Sequence, residues 1–152
     1  MNILEILRPQ CIRVPLASPD KQGAIDELVD LLATDGRIAD ADAVKKAVWE
    51  RETQRSTGIG EGLAIPHGKC AAVRELAMAV GRPTAPINFD AIDKKPVRLL
   101  VLLVSPVDKI SMHIQALGRV SRLLSDPALR ERAYAAPDAA SLYEIFRKAE
   151  GG

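Results

Sequence analysis

A single histidine stands in the run IPHGK, and it is the residue of this chain best suited to covalent chemistry. His67 is one of only two histidines among the 152 residues. A neutral imidazole nitrogen is a good nucleophile, and a side chain with a reference pKa of about 6.5 is mostly neutral at pH 7. Pro66 fixes the backbone before the ring, and Gly68 leaves room for a bulky electrophile after it. The pattern predicts an exposed imidazole on a rigid bend; a histidine that merely fills a turn is the structural alternative.

Two further side chains are candidate partners for a group carried by His67. The other histidine, His113, falls near the start of an apolar helical pattern, where a helix N-terminus favours anions and the ring could donate a hydrogen bond. Arg51 ends a charged helical stretch, from which its guanidinium could clamp phosphate oxygens. The alternatives are packing at the border of the apolar face for His113 and a solvated helix-end cation for Arg51.

Hydroxyls and glycines precede His67 in the run STGIGEGLAIPHGK. Ser56, Thr57 and the backbone N–H groups of the glycine segment 58–62 would supply donors to an anion-binding pocket around the imidazole. The glycines are spaced G-x-G-x-G and follow a charged helical stretch, so they match neither the dinucleotide fingerprint nor the Walker A loop. The sequence therefore favours an open pocket for an anion over a nucleotide site.

The two cysteines admit a metal site as a further alternative. His67, Cys70 and His113 would give three ligands of the kind that zinc accepts, but H-x-x-C alone is a weak signal and no fourth ligand is evident. Cys11 and Cys70 lie far apart and form no CxxC pair. Their pattern is typical of two reduced thiols in a cytosolic protein.

Composition and charge limit the classes of partner. The chain is 47% hydrophobic and 27% charged, which suits one domain over residues 1–152 with a core at about 5–148. A net charge of +1 and 3% aromatic residues argue against nucleic acid as the main partner. The longest apolar run, 97–104, is far too short to span a membrane, and the N-terminus is no secretory signal. We expect a soluble cytoplasmic domain without membrane insertion.

Hydrophobic periodicity predicts an α/β single-domain sandwich in which a small mixed β-sheet is flanked by helices. The predicted strands are 11–17, 75–82, a short one with a turn in 86–96, and 97–104, which is apolar nearly throughout and reads as a central strand covered on both faces. The predicted helices are 3–7, one from a Ser18 cap to Gly36, one after Asp40 or Asp42, 107–125, one after Asp126 and one after Asp138.

The long helix 107–125 carries the second histidine, so its inward face matters for the site. Apolar residues recur along it at helical spacing, and we expect Ile110, Ile114, Leu117, Val120 and Leu124 to face inward. This assignment puts His113 at the border of the apolar face.

Taken together, these motifs resemble the phosphohistidine region of the fructose/mannitol-type EIIA (type 2) domains of the bacterial phosphotransferase system, most closely its nitrogen-regulatory members. The landmarks follow in order: Arg51-Glu52, the run STGIGEGLAIPHGK at 56–69, the run FDAIDKKPVRLLVLLVSP at 89–106, and a helix with His113 followed by leucines. The order of the flanking elements also fits, so the resemblance covers essentially the whole chain.

The resemblance implies a fold and a set of roles. His67 would accept a phosphoryl group, on the ring nitrogen remote from the backbone, from a phosphorylated HPr-like carrier protein. His113 would stabilise that group and Arg51 would clamp it, within a pocket that includes Ser56, Thr57 and Gly68. The role requires no metal, no nucleotide and no other cofactor.

Two functions from different classes remain open within this resemblance. In nitrogen-type regulators the phosphorylation state modulates partner proteins, such as potassium-transport or sensor-kinase proteins. In sugar-uptake relays the phosphoryl group passes to a IIB domain. The wording of the glycine and FDAID segments resembles the regulators more closely, and the regulatory function is our expectation.

Overall fold

A computed structural model describes residues 1–151 and contains one six-stranded sheet with helices on both sides. The strands are β1 (Leu7–Leu16), β2 (Gly58–Gly60), β3 (Leu63–Ala64), β4 (His67–Lys69), β5 (Ala77–Pro83) and β6 (Leu99–Ser105). The helices are α1 (Lys21–Thr34), α2 (Ala41–Gln54), α3 (Ile110–Leu123), α4 (Pro127–Ala135) and α5 (Ala139–Ala149), and a 3₁₀ helix covers Ile3–Glu5. The predicted fold class, a mixed sheet flanked by helices, is confirmed.

The single domain 1–152 stays a prediction, and its last residue, Gly152, lies outside the described residues. Among residues 1–151 no helix combines the length and the apolar character that crossing a bilayer requires.

Strand β6 is the centre of the sheet. The strand order is β1-β5-β6-β3-β2, and β4 also pairs with β6. β5 runs antiparallel to β6, whereas β3 and β4 both run parallel to it, β3 beside its beginning and β4 beside its end at Leu103–Ser105. β3 and β4 are thus two parts of one edge, interrupted at Ile65 and Pro66. Proline lacks the N–H that a continuous ladder would use.

Both faces of β6 are covered, as the apolar run predicts. All seven of its residues are buried. Leu99, Val101 and Leu103 belong to a hydrophobic cluster that also holds residues of α3, α4 and α5. The alternate side chains belong to a second cluster with residues of α1 and α2. Because side chains alternate along a strand, the sheet lies between two hydrophobic clusters, one on each of its faces.

Three predicted helix N-caps are confirmed, and one is wrong. The carboxylates of Asp40, Asp126 and Asp138 accept backbone N–H groups at the starts of α2, α4 and α5. The cap of α1 is Asp20 rather than Ser18: the Asp20 carboxylate accepts from the N–H of the third helical residue, whereas the Ser18 N–H donates to a glutamate of the helix, Glu27.

Two short segments also differ from their predictions. The predicted helix 3–7 is a single 3₁₀ turn, and the first strand begins at Leu7 instead of residue 11. In 86–96 the predicted short strand is reduced to one bridge, in which Ile87 pairs with Val97. The remaining residues of this segment form turns and irregular backbone, including positive φ angles at Asp90 and Lys94.

The inward face of α3 differs from the predicted one. Its buried residues are His113, Ala116 and Val120, whereas Ile110 and Ile114 are 53% and 61% exposed. The predicted face is therefore rotated: of its members, Val120 and Leu124 are buried, and Leu117 is half-buried. The reason is that His113 has a polar partner inside the protein and occupies the core-facing position near the start of the helix.

This rotated face predicts unequal effects of substitutions along α3. We expect Val120→Ala to lower the free energy of unfolding by about 2 kcal/mol, because it leaves a cavity beneath the helix. Ile110→Ala should change it by less than about 0.5 kcal/mol, because that side chain is already in solvent. Urea unfolding of both variants measures the difference. Equal losses of unfolding free energy in the two variants would instead support the inward face that the periodicity predicts.

Candidate functional site

His67 is the first residue of β4, not part of a bend. It pairs in parallel register with Leu103 of β6, and the Leu103 N–H donates to the Pro66 carbonyl at 3.0 Å. The side chain is half-buried. The imidazole is therefore carried on a strand that is bonded to the centre of the sheet, which holds it more firmly than a loop would.

The hydrogen bonding of the His67 ring determines its tautomer. Nδ1 lies 2.8 Å from the carbonyl oxygen of Ile65. A carbonyl oxygen can only accept, so Nδ1 carries a proton and the lone pair of the neutral ring is on Nε2. Burial lowers the pKa of His67 below 6.5 and the Arg51 charge lowers it further, against the opposing effect of the bond to Ile65. The ring is therefore neutral at pH 7, with Nε2 as a nucleophile.

The second histidine lies beside the first. His113 is in the first turn of α3, is 3% exposed, and its ring centroid is 5.5 Å from that of His67. Its Nδ1 is 2.8 Å from the hydroxyl oxygen of Ser105, the last residue of β6. Burial lowers the pKa of His113 to about 4, together with the charge that His67 acquires when it is protonated at low pH and the charge of Lys69. This ring is also neutral at pH 7.

Helix α2 also contributes to the site, through Arg51 and through its packing on Gly68. Arg51 is in the last turn of α2, where its Nη1 donates to the Arg55 carbonyl at 3.0 Å. A Cβ added to Gly68 would lie 3.2 Å from a methyl group of Val48 and 3.4 Å from the Val48 backbone. Gly68 therefore allows α2 to pack closely on β4, and this close packing carries Arg51 towards His67.

These residues share one cavity. It has a volume of about 450 Å³, and Arg51, His67, Gly68, Lys69 and His113 all line it. Two cations, Arg51 and Lys69, and one carboxylate, Glu50, line it, and two neutral imidazoles face the same space. Among residues 1–151 no protein group forms a hydrogen bond with Nε2 of either ring. A cavity with a nucleophilic nitrogen, cations and a second ring nitrogen fits a tetrahedral anion held at His67.

The structure does not bring Ser56 and Thr57 to this cavity. The Ser56 hydroxyl donates to the Phe89 carbonyl at 2.6 Å, and the buried Thr57 hydroxyl donates to the Glu52 carboxylate. Both hydroxyls are used to fix the backbone after α2. The expected donor loop is therefore absent from the described cavity, and Gly68 is the glycine of this region that lines it.

The glycine segment 58–62 forms a turn between two strands and not the predicted anion-binding loop. It forms the hairpin of β2 and β3, in which Gly58 pairs with Ala64. Gly60 and Gly62 have φ angles of +106° and +88°, which only glycine adopts readily, and they turn the chain back on itself. The glycines thus shape the chain before His67 and do not surround the imidazole.

Two buried polar residues near the site were missed by the sequence reasoning. Glu52 is 2% exposed and accepts from the Thr57 N–H at 2.8 Å, and it pairs with Lys21 at 3.0 Å. It lies four residues after Val48 on the buried face of α2, and this spacing is a signal that could have identified it. Ser105 shares the strand face of Val101 and Leu103, which points it at α3.

The thiol near the site gives no metal centre. Among the described residues 1–151 no group of three or more histidine, cysteine, aspartate or glutamate side chains is arranged to hold a metal ion. Cys70 instead packs against the hydrophobic cluster on the α1 and α2 side of the sheet, and its backbone N–H donates to the Ser105 carbonyl at 3.0 Å. Cys70 therefore does not join His67 and His113 as a third ligand.

The low pKa of His113 predicts a pH-dependent stability. In the unfolded chain the ring binds a proton at pH values below about 6.5, whereas in the folded protein it does so only below about 4. Stability is therefore lost as the pH falls through this interval, by up to about 3 kcal/mol. Urea unfolding between pH 7 and pH 4 measures the loss, and His113→Gln should remove this part of it. The same pH profile in both proteins would contradict the assignment.

Comparisons with known proteins find relatives that match almost the whole chain. The Escherichia coli protein named nitrogen regulatory protein is 35% identical over 153 residues, which cover 99% of this chain and 93% of that protein. The Bacillus subtilis PTS system fructose-specific EIIABC component is 34% identical over 148 residues. These cover 97% of this chain but only 23% of that protein, so the chain spans less than a quarter of the length of this relative.

A solved structure shows the same fold. The crystal structure of nitrogen regulatory protein IIA-Ntr from Neisseria meningitidis superimposes with a TM-score of 0.87 at 30% sequence identity, and the match covers 95% of this chain and 98% of that one. The family model described as "Phosphoenolpyruvate-dependent sugar phosphotransferase system, EIIA 2" matches residues 5–149. The chain therefore belongs to the EIIA type 2 family of the phosphotransferase system, whose members are phosphotransfer components.

Proposed function

We propose that His67 accepts a phosphoryl group on Nε2 from a phosphorylated HPr-like carrier protein. One observation carries this proposal: Nδ1 of His67 donates to the Ile65 carbonyl, so the free lone pair is on the ring nitrogen remote from the backbone. A depressed pKa keeps that lone pair available at pH 7. The cavity beside it is lined by Arg51 and Lys69, whose charges suit a phosphoryl group.

The transfer step needs no group beyond the two imidazoles and the phosphoryl. The Nε2 lone pair of His67 forms the new N–P bond while the N–P bond to the carrier's histidine breaks, and that bonding pair returns to the carrier's ring. The positive charge that develops on the His67 ring is stabilised at Nδ1–H by the Ile65 carbonyl. The phosphorylated donor and the phosphorylated product are both phosphohistidines, so the transfer is nearly thermoneutral, and catalysis is mainly positioning and charge stabilisation.

Arg51 and His113, which line the cavity with His67, would both support the transferred group. In our proposal the Arg51 guanidinium exchanges its bond to the Arg55 carbonyl for the phosphoryl oxygens. The His113 ring, 5.5 Å from His67 between centroids, would donate through Nε2. Gly68 contributes by its small size. Ser56 and Thr57 are not included, since their hydroxyls bond elsewhere.

A protein carrier fits the surface around the cavity. Val107, Ile110 and Ile114 are all more than half exposed, and Ile114 lines the cavity itself. We call these three side chains the apolar rim. Exposed branched apolar residues beside a charged cavity are typical of a protein interface. A small phosphorylated metabolite would have no use for them.

We further propose that phosphorylation regulates partner proteins, as the name of the E. coli relative suggests for that protein. A phosphoryl group adds about 1.5 to 2 negative charges beside the apolar rim. An interface that includes this rim would be weakened or strengthened by the new charge. Potassium-transport or sensor-kinase proteins are the proposed targets, by family resemblance.

The sugar-uptake relay is the second candidate function. It is favoured by the fructose-specific relative from B. subtilis. In this case phosphorylated His67 would hand its group to a IIB domain. Incubating the phosphorylated protein with a purified fructose-type IIB domain distinguishes the two: rapid loss of the phosphoryl group to IIB supports the relay, and retention supports the regulator.

The acceptor assignment predicts a specific chemical change. After incubation with phosphoenolpyruvate, enzyme I and the nitrogen-type HPr, intact-protein mass spectrometry should show one acid-labile phosphoryl addition. His67→Ala should show none while keeping its circular dichroism spectrum, because the side chain is half-buried at the cavity and contributes little to either core. A phosphorylated His67→Ala variant would refute the assignment.

The supporting role of His113 predicts slower transfer without loss of the acceptor. His113→Ala should reduce the rate of phosphoryl acceptance by roughly 10²- to 10³-fold, the effect of removing one preorganised donor. Gln115→Ala, an exposed position on the same helix, is the matched control and should transfer at the wild-type rate. Rapid-quench measurement with phosphorylated carrier gives both rates. An unchanged rate in His113→Ala would reduce that ring to a packing role.

A further inference from the structure

We propose that Ser105 is a positioning residue that selects the tautomer of His113: its hydroxyl donates to Nδ1, which leaves the ring proton on Nε2, the nitrogen available to a group on His67. This inference rests on the proposed function for its consequence, although its structural part can be tested without phosphorylation. It assigns a task to a buried hydroxyl that the proposed transfer step does not use.

The direction of the hydrogen bond follows from the surroundings of Ser105. Its side chain is fully buried, and within residues 1–151 its hydroxyl has one hydrogen-bond partner, His113 Nδ1 at 2.8 Å. A buried hydroxyl proton needs an acceptor, and an Nδ1 lone pair is the acceptor in range. If the hydroxyl accepted from Nδ1–H instead, its own proton would be buried without a partner. When the Ser105 hydroxyl donates to His113 Nδ1, both the hydroxyl proton and the Nδ1 lone pair have a hydrogen-bond partner.

The tautomer matters because only one of the two can support an anion. With the proton on Nε2, the His113 ring donates to phosphoryl oxygens on His67. With the proton on Nδ1, the Nε2 lone pair would face the negatively charged oxygens and repel them. Burial and the neighbouring charges keep the ring neutral at pH 7, so a second proton is not available to correct the wrong tautomer.

The fold explains why the hydroxyl reaches this ring. Ser105 continues the face of β6 that carries Val101 and Leu103, and this face packs towards α3. Ser105 also pairs with Lys69 of β4, two residues after His67. The end of β6 therefore holds the backbone next to His67 through its pairing with β4. Through Ser105 it also determines which ring nitrogen of His113 carries the proton.

The first test reads the tautomer directly. A long-range ¹H–¹⁵N correlation spectrum of ¹⁵N-histidine-labelled protein at pH 7 distinguishes the protonated ring nitrogens, and with two histidines His67→Ala completes the assignment. We expect Nε2–H for His113 in the wild type, and a shift towards the Nδ1–H form in Ser105→Ala. Nδ1–H in the wild type would overturn the proposal, as would an unchanged tautomer in Ser105→Ala. The wild-type result decides even if the variant fails to fold.

The second test reads the kinetic consequence. Ser105→Ala should slow phosphoryl acceptance by about 10- to 100-fold, the usual effect of losing a group that orients a functional side chain. In a His113→Ala background the same change should have no further effect, because Ser105 acts through His113. Equal slowing in both backgrounds would show a general structural role and overturn the proposal.

Two further variants complete the design. Ser105→Thr keeps a hydroxyl and should retain the Nε2–H tautomer. Ser111→Ala removes an exposed hydroxyl from α3, the helix that carries His113, and should leave tautomer and rate unchanged. If the wild type shows Nε2–H yet accepts no phosphoryl group, the proposed function fails and the positioning role of Ser105 stands. If the wild type accepts the group but shows Nδ1–H, the reverse holds.

Discussion

The parallel pairing of β4 with β6 is the constraint on which the site depends. It joins the backbone of His67 to the most deeply buried strand, and the Pro66 carbonyl accepts from Leu103 at the point where β4 begins. The interruption just before it is equally important. Because Pro66 breaks the ladder, the Ile65 carbonyl remains available to the imidazole. The break between β3 and β4 therefore fixes the orientation of the His67 ring and keeps its proton on Nδ1.

Buried polar groups make specific contacts in the layers on both sides of the sheet. On one side the Glu52 carboxylate joins α2 to the following backbone and to Lys21 at the start of α1. On the other side the Ser105 hydroxyl bonds to His113 of α3. Each is a polar contact inside an otherwise apolar layer, where an unpaired partner is costly and the geometry is correspondingly specific. The protein thus places hydrogen bonds where the relative positions of helix and sheet matter for the cavity.

The sequence was sufficient to predict the central strand and the mixed α/β architecture and to single out His67 as a candidate, because a continuous apolar run, the periodicities and a rare residue type are local signals. It failed where several side chains could occupy the same buried position or bond to the same partner. Ile110 and Ile114 match a helical stripe, yet the core position went to His113, whose partner lies eight residues earlier. The Thr57 hydroxyl was expected at the pocket, but a buried carboxylate captured it. Such competition between possible partners is decided by tertiary structure, which spacing along the chain does not reveal.

The sheet that carries His67 also divides the interior into two clusters, and this division has a consequence for how the protein can change over evolutionary time. Arg51 depends on the cluster beneath α1 and α2, and His113 on the cluster beneath α3, α4 and α5. Substitutions that do not share contacts act nearly independently. One layer can therefore accumulate changes and compensate for them internally while the other keeps its arrangement. We therefore expect divergence in this fold to be compartmentalised, with the His67 ring held at the boundary between the two layers by backbone pairing.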